Sequence, residues 1–342
     1  MTIDLPAPVP AGTVSSAGPP LPRARGPLSA RVLSRLRGEP VPVAVPPDGQ
    51  PAAEDLQLAL YCCYELHYRG FAGVDPELEW DPELLGLRRR LEARFLAGVT
   101  GAVGPRRPVG PDRVEAALTA LATADGGPSL SAHLATTGTL DQMREFCVHR
   151  SAYQLKEADP HTWGLPRLAG PPKAAMVEIQ TDEYGNGLTE AMHAELFGAT
   201  MAALDLDPTY GTYLDRLPAV TLATVNLVSL FGLHRRWRGA LVGHLALFEM
   251  TSVGPMSRYA SALRRFGAPS EARRFYDTHV EIDAHHHRVA LEQMVRGFVA
   301  QEPDAADDVV FGARALTAVE GRFAAHLLES WANGRSSLRP CA

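Results

Sequence analysis

Cysteine is scarce in this chain, with four among 342 residues. Cys62 and Cys63 are adjacent, Cys147 and Cys341 are isolated, and no Cys-x-x-Cys pair occurs. That spacing excludes a thiolate zinc site and a disulfide framework, and a reducing cytoplasm is the expected setting. No apolar run approaches the ~18 residues needed to cross a bilayer, so no membrane span is expected. Gly-x-Gly-x-x-Gly after a strand pattern, Gly-x-Ser-x-Gly and a phosphate-cradling loop are all missing, which removes dinucleotide binding and serine-nucleophile hydrolysis. Cys147-x-His149 has no surroundings that would activate a thiol. Basic residues are outnumbered, with 33 Lys and Arg against 39 Asp and Glu for a net charge of −6. No basic stripe with interleaved aromatics appears, so nucleic acid is not an expected partner. Alternating strand patterns are nearly absent, and no repeat of 20–50 residues is visible.

What remains is a helical chain with enough apolar content, 46% hydrophobic against 21% charged, to bury a substantial core. Residues 1–50 are rich in Pro, Ala, Gly and Arg and have no apolar signal-peptide segment; they are expected to form a disordered leader. Residues 51–128 are expected to add N-terminal helices over 54–70, 82–99 and 112–124, with Gly/Pro turns over 100–111. A helical bundle then fills 129–335. Its helices are expected over 139–158, from 173–184 on past Gly185-Asn186-Gly187 to 204, and over 219–232, 237–251, 256–266, 270–299 and 305–333. The β-branched stretch Val220–Val228 also allows a strand, but its length and neighbours favour a buried helix. The expected class is all-α.

The chemistry concentrates in His279-Val-Glu-Ile-Asp283-Ala-His285-His286-His287. At 3.6 residues per turn, His279, Asp283 and His286 fall within an arc of about 60° and aim at one spot, while His285 and His287 point elsewhere. Two imidazoles with a carboxylate suit iron, manganese or zinc. Upstream, Glu190 and His193 form Glu-x-x-His, with Glu183 one heptad earlier, and Asp283-x-x-His286 repeats the i, i+3 pairing. Two such pairs, completed by single carboxylates from other helices, form the ligand logic of dinuclear sites in helical bundles. Glu249 ends the apolar run Ala240–Met250 and needs a partner there. On the helix before, Glu145 and Glu157 both offer a carboxylate, and His149, Arg150 and Tyr153 are candidates to line a substrate pocket.

The order Glu183, Glu190-x-x-His193, Glu249, His279-x3-Asp283-x2-His286 on successive helices resembles the haem-oxygenase-like diiron oxidases and oxygenases, or iron-containing redox enzymes. The likeness spans roughly 130–333. It implies a bundle of about seven helices holding two Fe(II) ions on Glu190, His193, Glu249, His279, Asp283 and His286, with Glu183 a further or mobile ligand. Glu157 or Glu145 would complete the set. It also implies that O2 is the co-substrate and passes through a peroxo-diiron(III) species that oxidises a small, amino-acid-like metabolite. In that picture Arg150 meets the substrate carboxylate, an external donor supplies electrons, and the added N-terminal helices cover the site or build a homodimer. Two other readings of the residues are a metal-free protein of the same architecture, of the thiamin-hydrolase or cofactor-binding kind, and a ferritin-like storage protein with no organic substrate.

Overall fold

A computed structural model describes residues 18–40, 52–124, 127 and 129–340, apart from the side chains of 283 and 284. Among these residues every regular element is a helix, as the sequence patterning predicts. The N-terminal part holds α1 (Pro27–Leu36), α2 (Ala53–Glu65), α3 (Pro82–Val103), α4 (Val114–Thr123) and α5 (Leu130–Thr136). The bundle follows with α6 (Leu140–Gln154), the single turn α7 (Asp159–Thr162), α8 (Gly170–Glu183), α9 (His193–Ala203) and α10 (Ala219–Leu233). Its last elements are α11 (Arg238–Arg265), α12 (Glu271–Arg288), α13 (Arg296–Gln301) and α14 (Ala306–Ala332). The stretch Val220–Val228 lies inside α10 and is helical throughout.

Several boundaries differ from the sequence reading. Part of the expected disordered leader folds: α1 buries Leu28, Val32, Leu33 and Leu36 against α2. Its apolar residues recur at helical spacing, and Asp55 accepts hydrogen bonds from the backbone N–H groups of Leu28 and Ser29. Residues 1–17 and 41–50 of that leader lie outside the described residues. Pro255 does not divide 237–266 into two helices, because α11 runs straight across it. A proline removes one ladder bond, and here the packing on both sides carries the helix through. The expected helix over 270–299 is interrupted by a π-helical stretch, Val289–Val295, which begins three residues after His286.

The core centres on α11, which packs along both α12 and α14. Two glycines set the α11–α14 crossing. A Cβ on Gly243 would stand 1.8 Å from the Val309 carbonyl oxygen, and one on Gly312 would stand 2.0 Å from that of Ala240. Helix backbones in such close contact need a hydrogen at both positions. The close crossing fixes the height at which Glu249 on α11 faces α12.

Candidate metal centre

The site forms where the ends of α6, α8 and α9 meet the middle of α11 and the face of α12 that carries His279 and His286. After α6 the chain leaves helical geometry in a turn, and Glu157 projects from it. α8 delivers Glu183 as its last residue. The chain then reverses through Gly185, Asn186 and Gly187, with φ of 62°, 54° and 82°. Three successive left-handed residues suit Gly-Asn-Gly and few other sequences, and they terminate α8. His193 opens α9. Glu249 lies midway along α11, and His279 and His286 are two turns apart on α12.

These residues make two overlapping groups. Ligand atoms of Glu157, Glu183, His193 and His279 lie within 4.8 Å of one another, as do those of Glu183, Glu249 and His286. All six residues are buried. Glu183 belongs to both groups.

The histidine tautomers follow from their partners. His279 Nδ1 lies 2.8 Å from the Phe275 carbonyl, which can only accept, so Nδ1 carries the proton and Nε2 turns its lone pair toward Glu157, 3.8 Å away. His286 Nε2 donates to Asp182 at 3.0 Å, leaving Nδ1 facing Glu249 at 3.4 Å. A carboxylate behind the imidazole is the usual support for a metal-bound histidine. His193 Nδ1 sits 2.8 Å from Glu183 Oε2. That contact lacks the angle of a hydrogen bond, and both His193 nitrogens, Glu157 Oε2 and Glu183 Oε2 are buried without one. Buried polar atoms in this state are costly unless an ion satisfies them.

Electrostatics agree with that reading. Burial pushes the Glu157 carboxyl up from its ordinary value, and the neighbouring His279 only partly opposes this. Burial acts on Glu183 in the same direction, but His193, His279 and His286 outweigh it and hold the group at about 2. Glu157, Glu183, Glu249 and Asp182 together bring four carboxylates to the cluster, a negative charge that divalent cations would offset. The donor set of imidazole nitrogens and carboxylate oxygens, with no thiolate, fits Fe(II) and Fe(III).

Of the other predicted ligands, the structure does not bring Glu190 to the cluster. It is exposed on the 3-10 turn Thr189–Ala191, which ends before α9 begins, so Glu190 and His193 do not share a helical face. The side chain of Asp283 lies outside the described residues, although its backbone continues α12. Between the two first-helix alternatives the structure places Glu157 in the cluster. Glu145 instead accepts hydrogen bonds from Trp331 and Ser337 and ties down the C-terminal tail.

Tyr153 lines the metal pocket together with His161, Gln180 and Phe248. Arg150 stands one chamber further out, in a two-pronged ion pair with Glu320 at 3.0 and 2.7 Å, and its guanidinium lies 4.4 Å from the Phe323 ring centre. His149 is engaged elsewhere, between Thr221 and Ser337. The pocket over the ligands encloses only about 10 Å³, on the order of one water. Beyond Tyr153 and Phe248 opens a cavity of about 410 Å³, lined also by Phe146, Arg150, Tyr259 and Phe323. That volume is in the range of small-molecule sites.

Sequence reasoning did not single out Asp182, Glu320 or the buried His161–His244 pair, whose nitrogens lie 3.0 Å apart beside the metal pocket. Burial lowers His161 to about 4, so it is neutral at pH 7. Partners that meet 83 to 170 residues apart leave no local spacing to read.

Fold and geometry together define a class: all-helical proteins with a buried carboxylate–histidine metal centre at the meeting of several helices. Residues 144–321 match the iron-containing redox enzyme family, which is more than half of the 342 residues, and the chain belongs to that family with its haem-oxygenase-like fold. It is also similar to a nitrosourea synthase from Streptomyces achromogenes subsp. streptozoticus, 25% identical over 194 residues. That alignment covers 56% of this chain and 41% of the synthase, so the chain spans well under half of that relative.

Proposed function

We propose that this iron-family oxidoreductase is a non-haem diiron oxidase or oxygenase that uses O2 to oxidise a small, amino-acid-like metabolite. The observation that carries the reading is Glu183, shared by two buried ligand groups that end in His193 and His279 on one side and His286 on the other. When bound there, Fe(II) supplies the electrons that reduce O2.

The chain's own residues do the rest. The substrate occupies the cavity of about 410 Å³, since the metal pocket itself is too small for an organic molecule. At the inner end the Arg150–Glu320 pair offers one cation and one anion, the complement of an amino-acid zwitterion. Tyr153 and Phe248 line both spaces and form the partition between substrate and metals. Burial, reinforced by Glu157, Glu183 and Glu249, raises the Tyr153 phenol well above its ordinary value, so it keeps its proton and serves as a donor. His161 is held neutral in the same wall. Cys62, Cys63 and Cys147 are buried free thiols, consistent with work in a reducing cytoplasm where an external donor supplies electrons between turnovers. A nitrosourea contains an oxidised nitrogen, so oxidation of a substrate nitrogen comes first among the outcomes to test.

The test is O2 uptake by the Fe(II)-loaded protein with a panel of amino acids bearing amine or guanidine side chains. We expect one class of compound to accelerate uptake at least tenfold and to yield a product changed by one oxygen or two hydrogens. Equal uptake with and without every compound would instead support iron storage.

A further inference from the structure

Directly behind the ligand Glu157 stands a buried ion pair with no part in the ligand set. Lys156 Nζ lies 2.8 Å from Glu65 Oε2, and the two side chains are 1% and 0% exposed. The ammonium is boxed by aromatic rings, 4.0 Å from the centre of Tyr68 and 5.2 Å from that of Tyr61. Tyr210 donates its hydroxyl to the same Glu65 oxygen at 2.7 Å. Arg69 donates to the Leu155 carbonyl at 3.0 Å and lies 4.4 Å from the Tyr210 ring centre. On the other side of the turn, Ala158 adopts φ 75°, a costly conformation for alanine, and its carbonyl accepts from Gln180 at 2.8 Å.

An apolar pair of similar volume would stabilise this core at least as well as two desolvated charges, so packing alone does not account for Lys156 and Glu65. A charged pair does offer direction. Lys156 and Glu157 are consecutive in a turn outside any helix, one reaching toward α2 and the other toward His279. A helix would hold a ligand by its i, i+4 ladder, whereas the backbone here makes i, i+3 bonds, from Lys156 N–H to Tyr153 at 2.9 Å, Glu157 N–H to Gln154 at 3.4 Å and Asp159 N–H to Lys156 at 3.2 Å. We propose that the Lys156–Glu65 pair, with its tyrosine box and Arg69, is the positioning device for Glu157, so that α2 and the residues just after it govern loading of the metal position built on Glu157, His193 and His279. Glu65 and Arg69 both lie outside the family match at 144–321. The added N-terminal helices thereby become part of the metal site. The inference rests on Glu157 being a ligand.

The test is anaerobic Fe(II) titration against a competing chelator, with far-UV circular dichroism and thermal melts of the metal-free protein alongside. Glu157→Ala sets the reference, and we expect one ion to bind as in the parent and the second to be lost. The double variant Glu65→Gln/Lys156→Met removes both charges and is expected to stay folded while binding the second ion at least tenfold more weakly. Lys156→Arg, which keeps the charge, should recover most of that loss. Parental loading of both ions in the folded double variant overturns the proposal, as does equal weakening of both ions, which would mark the pair as general packing. If the double variant fails to fold, Arg69→Gln decides, because Arg69 is exposed and its change is tolerable. We expect it to weaken the same ion at least threefold, and unchanged loading overturns the proposal. Parental loading in Glu157→Ala would refute the ligand assignment itself, a separate failure.

Discussion

Glu183 shows how much one residue can carry. It is the last residue of α8 and the single carboxylate common to both ligand groups. Its loss should therefore cost more than the loss of a ligand belonging to one group. We expect Glu183→Ala to abolish tight binding of both Fe(II) ions, while Glu249→Ala removes one. Glu190→Ala should leave both within about twofold of the parent, because Glu190 is exposed on the 3-10 turn before α9. Anaerobic titration of the three variants checks the ranking, and tight two-ion loading in Glu183→Ala would contradict it. At this scale the sequence was legible where candidate ligands share one continuous helix. His279 and His286 were readable from spacing alone, because α12 keeps its 3.6-residue period between them. Glu190 was paired with His193 by helical spacing applied across a stretch that is not a continuous helix.

The elements differ in how plainly the chain announces them. Long amphipathic helices such as α3 and α14 were readable from their patterns, and the capping box of Thr139 with Gln142 marks the start of α6. The break after α8 was visible as Gly185-Asn186-Gly187, but its consequence depends on three left-handed residues and the 3-10 turn Thr189–Ala191 that follows, which no periodicity encodes. Glu157 was expected on a helix and stands on the turn after it, held by partners on α2 and α8. The continuity of α11 across Pro255 was likewise decided by tertiary packing over local propensity. One element contact invites a direct test. Gly243 and Gly312 let α11 and α14 touch backbone to backbone, and no flexible side chain can yield there. Gly243→Ala should destabilise the metal-free protein by about 3 kcal/mol or more in urea denaturation, in the upper part of the overpacking range. A loss below about 1 kcal/mol would show that the crossing relaxes freely. Because the same helix carries Glu249, weaker binding of one Fe(II) ion should accompany the loss.

For the whole molecule, the all-α class and the presence of a metal centre were readable from composition and from clustered ligands. The cavity of about 410 Å³ was readable only in part, through Arg150 and Tyr153. It is built from α4, α5, α6, α11 and α14, and its Arg150–Glu320 pair joins residues 170 positions apart. The Pro/Ala/Gly-rich surroundings hid α1, whose apolar face packs against α2 and whose Leu28 is tied to Asp55 27 residues on. The molecule sets a small buried pocket lined by carboxylates and imidazoles beside a larger chamber rich in aromatic side chains, with Tyr153 and Phe248 between them. The central claim is that the chain holds two irons bridged by Glu183. The direct measurement is anomalous diffraction at the iron edge from crystals loaded anaerobically with Fe(II). The account predicts two peaks, roughly 3.5–4 Å apart as in other two-metal sites, both in contact with Glu183. A single peak, or peaks away from Glu183, would contradict it.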